Sequence, residues 1–171
     1  MQVTDPRERT DDLLVTESRE ELPPDEFREA AASEAATVGW VCIALVFDDG
    51  QVLLVDQPWA DGWIAPGGAL QPGESLDDAV TREVREETGV EIEPVGPRAV
   101  DDFAFVDEAT GESAGWNLVV YEATTRTTAI DDDLGFADEK INAARWFDGL
   151  PDDIFNPDLF EPVYERCENA R

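Results

Sequence analysis

Residues 63–90, WIAPGGALQPGESLDDAVTREVREETGV, place a glycine-rich loop directly before one strongly patterned helix. We predict that the helix occupies residues 75–88. Ser75 suits the N-cap, because its hydroxyl accepts a bond from a free backbone N–H group, and Gly89 suits the C-terminal end. At about 100° per residue, one face of this helix collects the apolar side chains. They are Leu76, Ala79, Val80 and Val84.

Three glutamates interrupt this apolar face. Glu83 and Glu87 fall among the apolar side chains, and Glu86 lies at the edge. They are neighbours on the helix surface, so they repel one another, and burying them without partners is costly. Either a cation such as Arg82 or a divalent metal would relieve the repulsion, and oxygen ligands alone favour Mg²⁺ or Mn²⁺ over Zn²⁺. A solvated acidic surface is the alternative interpretation.

Outward from this helix, the sequence predicts an α/β domain. Before the helix, VGWVCIALVF and VLLV flank the turn DDGQ and predict a β-hairpin over residues 38–55. The remaining predicted elements are strands around residues 95–106 and 116–125, a strand within 141–153, and a last helix over 157–170. We expect Pro162 to interrupt that last helix. This order favours a mixed sheet with helices packed on it.

Residues 1–37 differ from the rest of the chain. They are polar and charged and end in LPPDEFREAAASEAAT, whose two prolines followed by an acid and alanines predict a helix start. We therefore divide the chain into an N-terminal extension over residues 1–37 and a main domain over residues 38–171. A packed helix, a frayed tail and a homodimer contact all remain open for the extension.

The chain is strongly acidic. It has 41 Asp and Glu against 12 Lys and Arg, a net charge of −29, and no His. Disorder is disfavoured because 42% of the residues are hydrophobic. A binding surface for basic partners is one explanation. We favour adaptation to a high-salt cytoplasm, because the acids are spread along the chain, which resembles proteins of halophilic archaea. This charge excludes binding of duplex nucleic acid through its phosphates.

The cysteines and apolar runs of the sequence indicate no metal site, disulfide framework or membrane span. Cys42 and Cys167 have the spacing of neither a metal site nor a disulfide framework, and Cys42 is expected in the core. The longest apolar run, residues 38–47, is shorter than the ~20 residues that cross a bilayer. The N-terminus has no signal-peptide pattern. We therefore expect a cytoplasmic protein that does not bind membranes.

The acidic helix and its loop match a known motif. Over 23 residues, nine stand at the defining positions: Gly68, Glu74, Arg82, Glu83, Val84, Glu86, Glu87, Gly89 and Val90. This is the complete Nudix box, and the chain resembles the Nudix hydrolase family over roughly residues 38–155. The resemblance implies an α/β/α sandwich with a mixed β-sheet. It also implies Mg²⁺- or Mn²⁺-dependent cleavage of the pyrophosphate bond of a nucleoside diphosphate linked to another moiety.

The resemblance also implies roles for individual residues. The metal ligands would be Glu83, Glu86, Glu87 and the backbone carbonyl of Gly67. Arg82 would orient these acids through ion pairs, and Glu74 would be an additional metal contact. The general base would be either Glu83 or an acid of residues 131–139, among which we prefer Glu139.

The substrate is a nucleotide-derived small molecule whose identity the sequence leaves open. Gly67 and Gly68 would bring bare backbone close to it. Four aromatic side chains are candidates for stacking on its base: Trp59, Trp63, Phe103 and Trp116. Packing in or around the core is the more common role of such residues, and we expect it for Trp63.

Two other functions compete with hydrolysis. A non-catalytic nucleotide-sensing module on the same fold is one, although such modules usually have a broken box and this box is complete. An isomerase of isoprenoid diphosphates is the other. That chemistry relies on a Cys and on metal-binding His residues, and the absence of His disfavours it.

Overall fold

The computed structural model describes residues 3–135 and 140–171. Within them the strands are β1 (Leu14–Leu22), β2 (Trp40–Asp48), β3 (Gln51–Asp56), β4 (Trp63–Ile64), β5 (Gly67–Ala69), β6 (Ile92–Asp107), β7 (Ser113–Thr125) and β8 (Ala143–Phe147). The α-helices are α1 (Pro24–Ala31), α2 (Glu34–Val38), α3 (Leu76–Thr88) and α4 (Pro157–Ala170). A short 3₁₀ helix spans Pro6–Glu8.

The strands form one mixed sheet. Its order is β1-β6-β7-β2-β3-β4, with β5 paired to β2 and β8 paired to β3. Strands β1 and β6 are parallel, as are β2 and β7, whereas the other pairs are antiparallel. The predicted hairpin is confirmed as β2 and β3, and the two predicted long strands correspond to β6 and β7.

Helices cover both faces of this sheet because its central strands are apolar on both sides. On one face, Val80 and Val84 of α3 pack in a core with Val119 of β7. On the other face, Phe160 of α4 packs in a second core with Val120, the next residue of β7. Successive side chains of a strand point to opposite faces, so the sheet lies between the two helices. The predicted α/β/α sandwich is confirmed.

Helix α3 has the ends that the sequence predicted. Ser75 is the N-cap, and its hydroxyl accepts a 3.1 Å hydrogen bond from the backbone N–H of Asp78. Gly89 follows the helix in the left-handed conformation, with φ of 79°, and its N–H donates to the carbonyl of Arg85 at 2.8 Å. These two contacts fix the length of the helix and therefore the positions of its acidic side chains.

Helix α4 corrects one expectation. It continues from Pro157 to Ala170 through Pro162, which does not interrupt it. The side chains that bury its apolar face lie on both sides of the proline: Leu159, Phe160, Val163 and Cys167. Tertiary packing of that face outweighs the hydrogen bond that a proline inside a helix removes.

The N-terminal residues contain a strand that the sequence did not predict. Strand β1 pairs with β6 in parallel from Leu14 to Leu22. The hydroxyl groups of Thr16 and Ser18 donate to Oδ1 of the buried Asp101 at 2.6 and 3.0 Å. Its sequence, LVTESREEL, lacks the apolar run of a central strand because it lies at the edge of the sheet.

The described helices are all too short or too polar to cross a membrane. Both cysteines, Cys42 and Cys167, are buried free thiols. The expectation that Cys42 belongs to the core is therefore confirmed.

Candidate functional site

Helix α3 carries the acids of the candidate site on its buried side. Glu83 is 6% exposed and Glu87 is 1% exposed, although both side chains are ionisable. Glu86 lies at the edge of the buried face, and Arg85 points to solvent. These positions agree with the helical spacing. Because a buried carboxylate is costly without compensation, its partners define the site.

Arg82 holds three carboxylates at once. Its Nε contacts Oε1 of Glu74 at 2.5 Å, and its Nη2 contacts Oε2 of the same residue at 2.9 Å. Its Nη1 lies 2.7 Å from Oε1 of Glu83 and 3.0 Å from Oε2 of Glu86. Nη2 also donates to the carbonyl of Ala69 at 3.2 Å. The planar fork of a guanidinium makes this arrangement possible, and a lysine would not reproduce it.

The charges in this cluster are only partly balanced. Hydrogen bonds from Arg82 hold the pKa of Glu74 below its ordinary value. The same contact with Glu74 raises the pKa of Arg82, so the guanidinium stays cationic. Three carboxylates therefore share one cation, and the cluster keeps an excess of negative charge.

Glu87 has donors of its own, separate from Arg82. Its Oε2 accepts from the backbone N–H of Gly67 at 3.2 Å, and its Oε1 accepts from Nε2 of Gln57 at 3.4 Å. Gln57 is only 8% exposed. Sequence reasoning missed Gln57, although a polar residue directly after the buried strand β3 is a usable signal of such a role.

The loop before α3 contains glycines because the acids and the sheet leave no space for side chains. A Cβ at Gly68 would lie 2.7 Å from the carboxylate carbon of Glu83. A Cβ at Gly67 would lie 2.1 Å from the carbonyl oxygen of Cys42. Bare backbone therefore approaches Glu83 and Glu87 directly, as the sequence predicted.

The carboxylates of the site could supply oxygen ligands to a metal. In this structure Arg82 contacts Glu74, Glu83 and Glu86, whereas Glu87 accepts from the backbone of Gly67. Among residues 3–135 and 140–171, no three acidic, histidine or cysteine side chains already converge as a metal site. The chemistry of the donors, carboxylates with backbone close by and an excess of negative charge, fits Mg²⁺ or Mn²⁺. Glu139, the preferred general base, lies outside the described residues.

The acidic loop after β7 meets the end of α3. The backbone N–H of Asp131 donates to the carbonyl of Thr88 at 2.9 Å, and that of Gly135 donates to the carbonyl of Glu87 at 3.2 Å. Both carbonyls belong to the last turn, where helix acceptors have no partner within the helix. The loop therefore holds the turn that carries Glu87, a contact that no local sequence pattern predicted.

Phe103 and Trp116 are not brought to the glutamates. Their ring centroids are 4.9 Å apart, and both pack against Phe105. Phe103 is four residues from Ala99 and Trp116 four from Val120, so both rings lie on the face of α4, opposite α3. They form an aromatic cluster on β6 and β7. Trp63 packs edge-on against Phe147, as expected.

A cavity of about 470 Å³ lies at the N-terminal end of α3. It borders the acidic cluster only through Glu74. Its wall includes Tyr121, whose hydroxyl donates to Oδ1 of Asp77 at 2.8 Å. Burial, followed by this hydrogen bond, raises the pKa of Tyr121. The cavity is therefore distinct from the surroundings of Glu86 and Glu87.

The chain is similar in sequence to a known protein family and to several of its members. The profile of the NUDIX domain family matches residues 35–162. An uncharacterized Nudix hydrolase of Bacillus subtilis is 45% identical over 58 residues, 34% of this chain and 35% of that protein. An RNA pyrophosphohydrolase of Pseudomonas fluorescens is 44% identical over 55 residues, 32% of this chain and 35% of that protein.

A solved structure extends the similarity to the fold. The MutT NUDIX hydrolase from Burkholderia pseudomallei has a TM-score of 0.54 and 29% sequence identity, and the match covers 74% of this chain and 95% of that one. The segments matched in the two curated relatives span only 35% of their lengths. These two matches cover 58 and 55 residues, whereas the match to the NUDIX domain family spans residues 35–162.

Proposed function

The chain belongs to the Nudix family, and from that premise we propose that it is a divalent-metal-dependent hydrolase. It cleaves the pyrophosphate bond of a nucleoside diphosphate linked to another moiety. The observation that carries this proposal is the burial of Glu83 and Glu87 on α3, beside the backbone of Gly67 and Gly68. Burying a carboxylate is costly, so buried acids beside bare backbone mark a candidate site for a ligand.

The residues that would hold Mg²⁺ or Mn²⁺ are Glu83, Glu86, Glu87 and the backbone carbonyl of Gly67, with Glu74 as an additional contact. A bound metal would offset the negative charge of the phosphates and lower the pKa of a water molecule. Arg82 would compete with the metal for Glu83 and Glu86, because it contacts both carboxylates. It would also hold Glu74 in place through two hydrogen bonds.

Water would attack phosphorus, and its proton needs an acceptor. Glu83 is one candidate, and Glu139 is the other. Oε1 of Glu83 is already held by Nη1 of Arg82, so this oxygen would have to leave the ion pair before it could accept the proton. We therefore keep Glu139 as the preferred base.

The proposed substrate is a class rather than one compound. The Pseudomonas fluorescens relative is named an RNA pyrophosphohydrolase, and the match to it covers 55 residues. We propose a nucleotide-pool or housekeeping role. We also propose a cytoplasm of high salt as the working environment, because the net charge of −29 is spread over the sequence.

The test is a substrate panel in molar KCl with Mg²⁺ or Mn²⁺. It contains ADP-ribose, dinucleoside polyphosphates, NADH, nucleotide sugars and normal and oxidised nucleoside triphosphates, scored by chromatography of the products. We expect metal-dependent cleavage of at least one compound. If a folded, metal-bound protein cleaves none, the result favours the nucleotide-sensing alternative or a substrate outside this panel.

Glu86→Gln tests the metal assignment. The substitution removes one charge from a partly exposed side chain, so we expect an unchanged fold and a loss of activity of about a hundredfold or more, several kcal/mol in the barrier. Arg85→Gln is the matched control, since that exposed residue lies next to Glu86 on the same helix. Full turnover by Glu86→Gln contradicts the assignment.

A further inference from the structure

Trp59 is an exposed aromatic side chain close to the acidic site. It exposes 65% of its surface, more than any other large apolar residue that the structure describes. It lies in the loop between β3 and β4, two residues after Gln57. No core cluster among the described residues includes it. Packing, the more common role of a tryptophan, therefore does not account for this residue.

The indole ring of Trp59 is nevertheless fixed in place. Its Nε1–H donates to Oε1 of Gln57, and its ring stands edge-on to Phe155 with centroids 5.7 Å apart. The loop is tied at both ends: Ala60 N–H donates to the carbonyl of Gln57 at 3.2 Å, and Trp63 N–H donates to the carbonyl of Asp153 at 3.0 Å. The ring of Trp59 is therefore exposed but held in one orientation, so a ligand that stacks on it would not have to order it first.

Gln57 connects this ring to the acidic site. Its carboxamide accepts from Trp59 through the oxygen and donates to Oε1 of Glu87 through the nitrogen. The two contacts together fix which way the amide points. One buried side chain therefore separates an exposed aromatic ring from the carboxylate of Glu87.

We propose that Trp59 is the surface on which the nucleobase of the substrate stacks, and that Gln57 is the positioning residue between this surface and Glu87. The inference rests on the proposed function and adds a base-recognition residue to it. A base is the uncharged, flat part of a nucleotide, so it gains affinity from an aromatic face even on a protein of charge −29. The phosphates would then lie toward the glutamates.

The location of Trp59 favours it over the other aromatic candidates. Phe103 and Trp116 lie on the face of the sheet opposite α3, and their rings pack against each other. Trp63 is packed against Phe147. Trp59 alone among the four candidates is both largely exposed and linked by side-chain hydrogen bonds to an acid of the helix.

The experiment measures binding by calorimetry in molar KCl with Mg²⁺, with ADP and inorganic pyrophosphate as the two probes. For Trp59→Ala we expect ADP to bind about tenfold more weakly and pyrophosphate to bind as before, since only ADP carries a base. Trp59→Phe keeps a flat ring and should retain most of the ADP affinity. Trp116→Ala is the matched control and should bind ADP like the wild type.

Gln57→Met tests the link to Glu87. We expect Mn²⁺ binding, measured by titration without any nucleotide, to weaken about tenfold, because the carboxylate of Glu87 loses a partner that orients it. The thermal midpoint of each variant is measured alongside, so that unfolding is recognised. Unchanged Mn²⁺ binding in a folded Gln57→Met protein overturns the positioning role.

The outcomes separate this inference from the proposed function. Equal loss of ADP and pyrophosphate affinity in Trp59→Ala, no loss of either, or no ADP binding to the wild type overturns the base-stacking role. If the wild type cleaves one compound of the panel and Trp59→Ala binds ADP normally, the base-stacking role is wrong and the hydrolase proposal stands. If the wild type binds ADP through Trp59 but cleaves no compound, the hydrolase proposal is wrong and the base-stacking role stands.

Discussion

Arg82 is the residue on which the charge balance of the site depends. Its side chain is 14% exposed and contacts Glu74, Glu83 and Glu86, whose side chains are 17%, 8% and 21% exposed. Removing a buried cation leaves its carboxylates uncompensated, which costs more than the pairs themselves contribute. In the proposed function, a divalent metal takes over part of this role.

Arg82→Ala should therefore lower the free energy of unfolding by about 3 kcal/mol in metal-free buffer. Added Mg²⁺ should raise the thermal midpoint of the variant more than that of the wild type, because the metal no longer competes with the guanidinium for Glu83 and Glu86. Calorimetric melting with and without Mg²⁺ measures both effects. An equal response to Mg²⁺ in the two proteins contradicts the competition.

Tyr121→Phe tests a pH dependence at the residue scale. The folded protein raises the pKa of Tyr121, whereas the unfolded chain releases the proton near pH 10. The stability that this group supplies is thus complete below about pH 10 and is lost as the pH rises further. Tyr121→Phe should be less stable by about 1 kcal/mol at neutral pH, since the bond to Asp77 is absent.

Above about pH 10, the difference between these two proteins should shrink, because the wild type alone loses stability through this phenol. Denaturant unfolding from pH 7 to pH 11 in high salt follows the change. Parallel stability curves for wild type and Tyr121→Phe over this range contradict the assignment.

At the scale of elements, helix α4 shows how packing overrides local preference. Pro162 removes the hydrogen bond to the carbonyl of Asp158, but Phe160 and Val163 on the buried face hold the helix together. The helix therefore carries a local cost that its core contacts offset.

Pro162→Ala should stabilise the protein by about 2 kcal/mol, because alanine restores the missing N–H donor within the helix. The greater freedom of the unfolded chain without the proline offsets part of this gain. Pro162 is exposed, so the change creates no cavity. Glu165→Ala, on the exposed side of the same helix, is the control and should change stability little. A destabilised Pro162→Ala protein shows that the ring itself makes contacts that matter.

At the scale of the whole molecule, the charge of −29 sets the conditions in which the fold is stable. With 41 Asp and Glu against 12 Lys and Arg, most of the acids cannot have a cation of their own. Repulsion between acids then acts over the surface unless salt screens it, and the Debye length is only ~3 Å at 1 M salt against ~30 Å at 0.01 M.

Transfer from molar KCl to dilute buffer should lower the thermal midpoint by about 10 °C, the shift that roughly 3 kcal/mol produces in a domain of this size. The reason is the loss of screening between like charges. Melting is followed at a series of KCl concentrations. A midpoint that does not change with KCl excludes salt adaptation as the explanation of the acidity.

The sequence by itself determined the elements whose signals are local. Helix α3 was predictable from Ser75 to Gly89 because caps and helical spacing involve residues at most four apart. The hairpin of β2 and β3 was predictable from two apolar runs around a turn. The same spacing placed Glu83 and Glu87 among the apolar side chains but left a solvated acidic surface as the alternative, and the structure shows both residues buried.

Only the tertiary structure decided which distant residues meet. The order of the sheet joins β1 to β6, brings Gln57 to Glu87 and places Trp116 on the face opposite α3. No local pattern encodes such contacts, because their free energy depends on surfaces that exist only once the sheet has formed. The acids of the site were thus predictable from the sequence, and the partners that hold them in place were not.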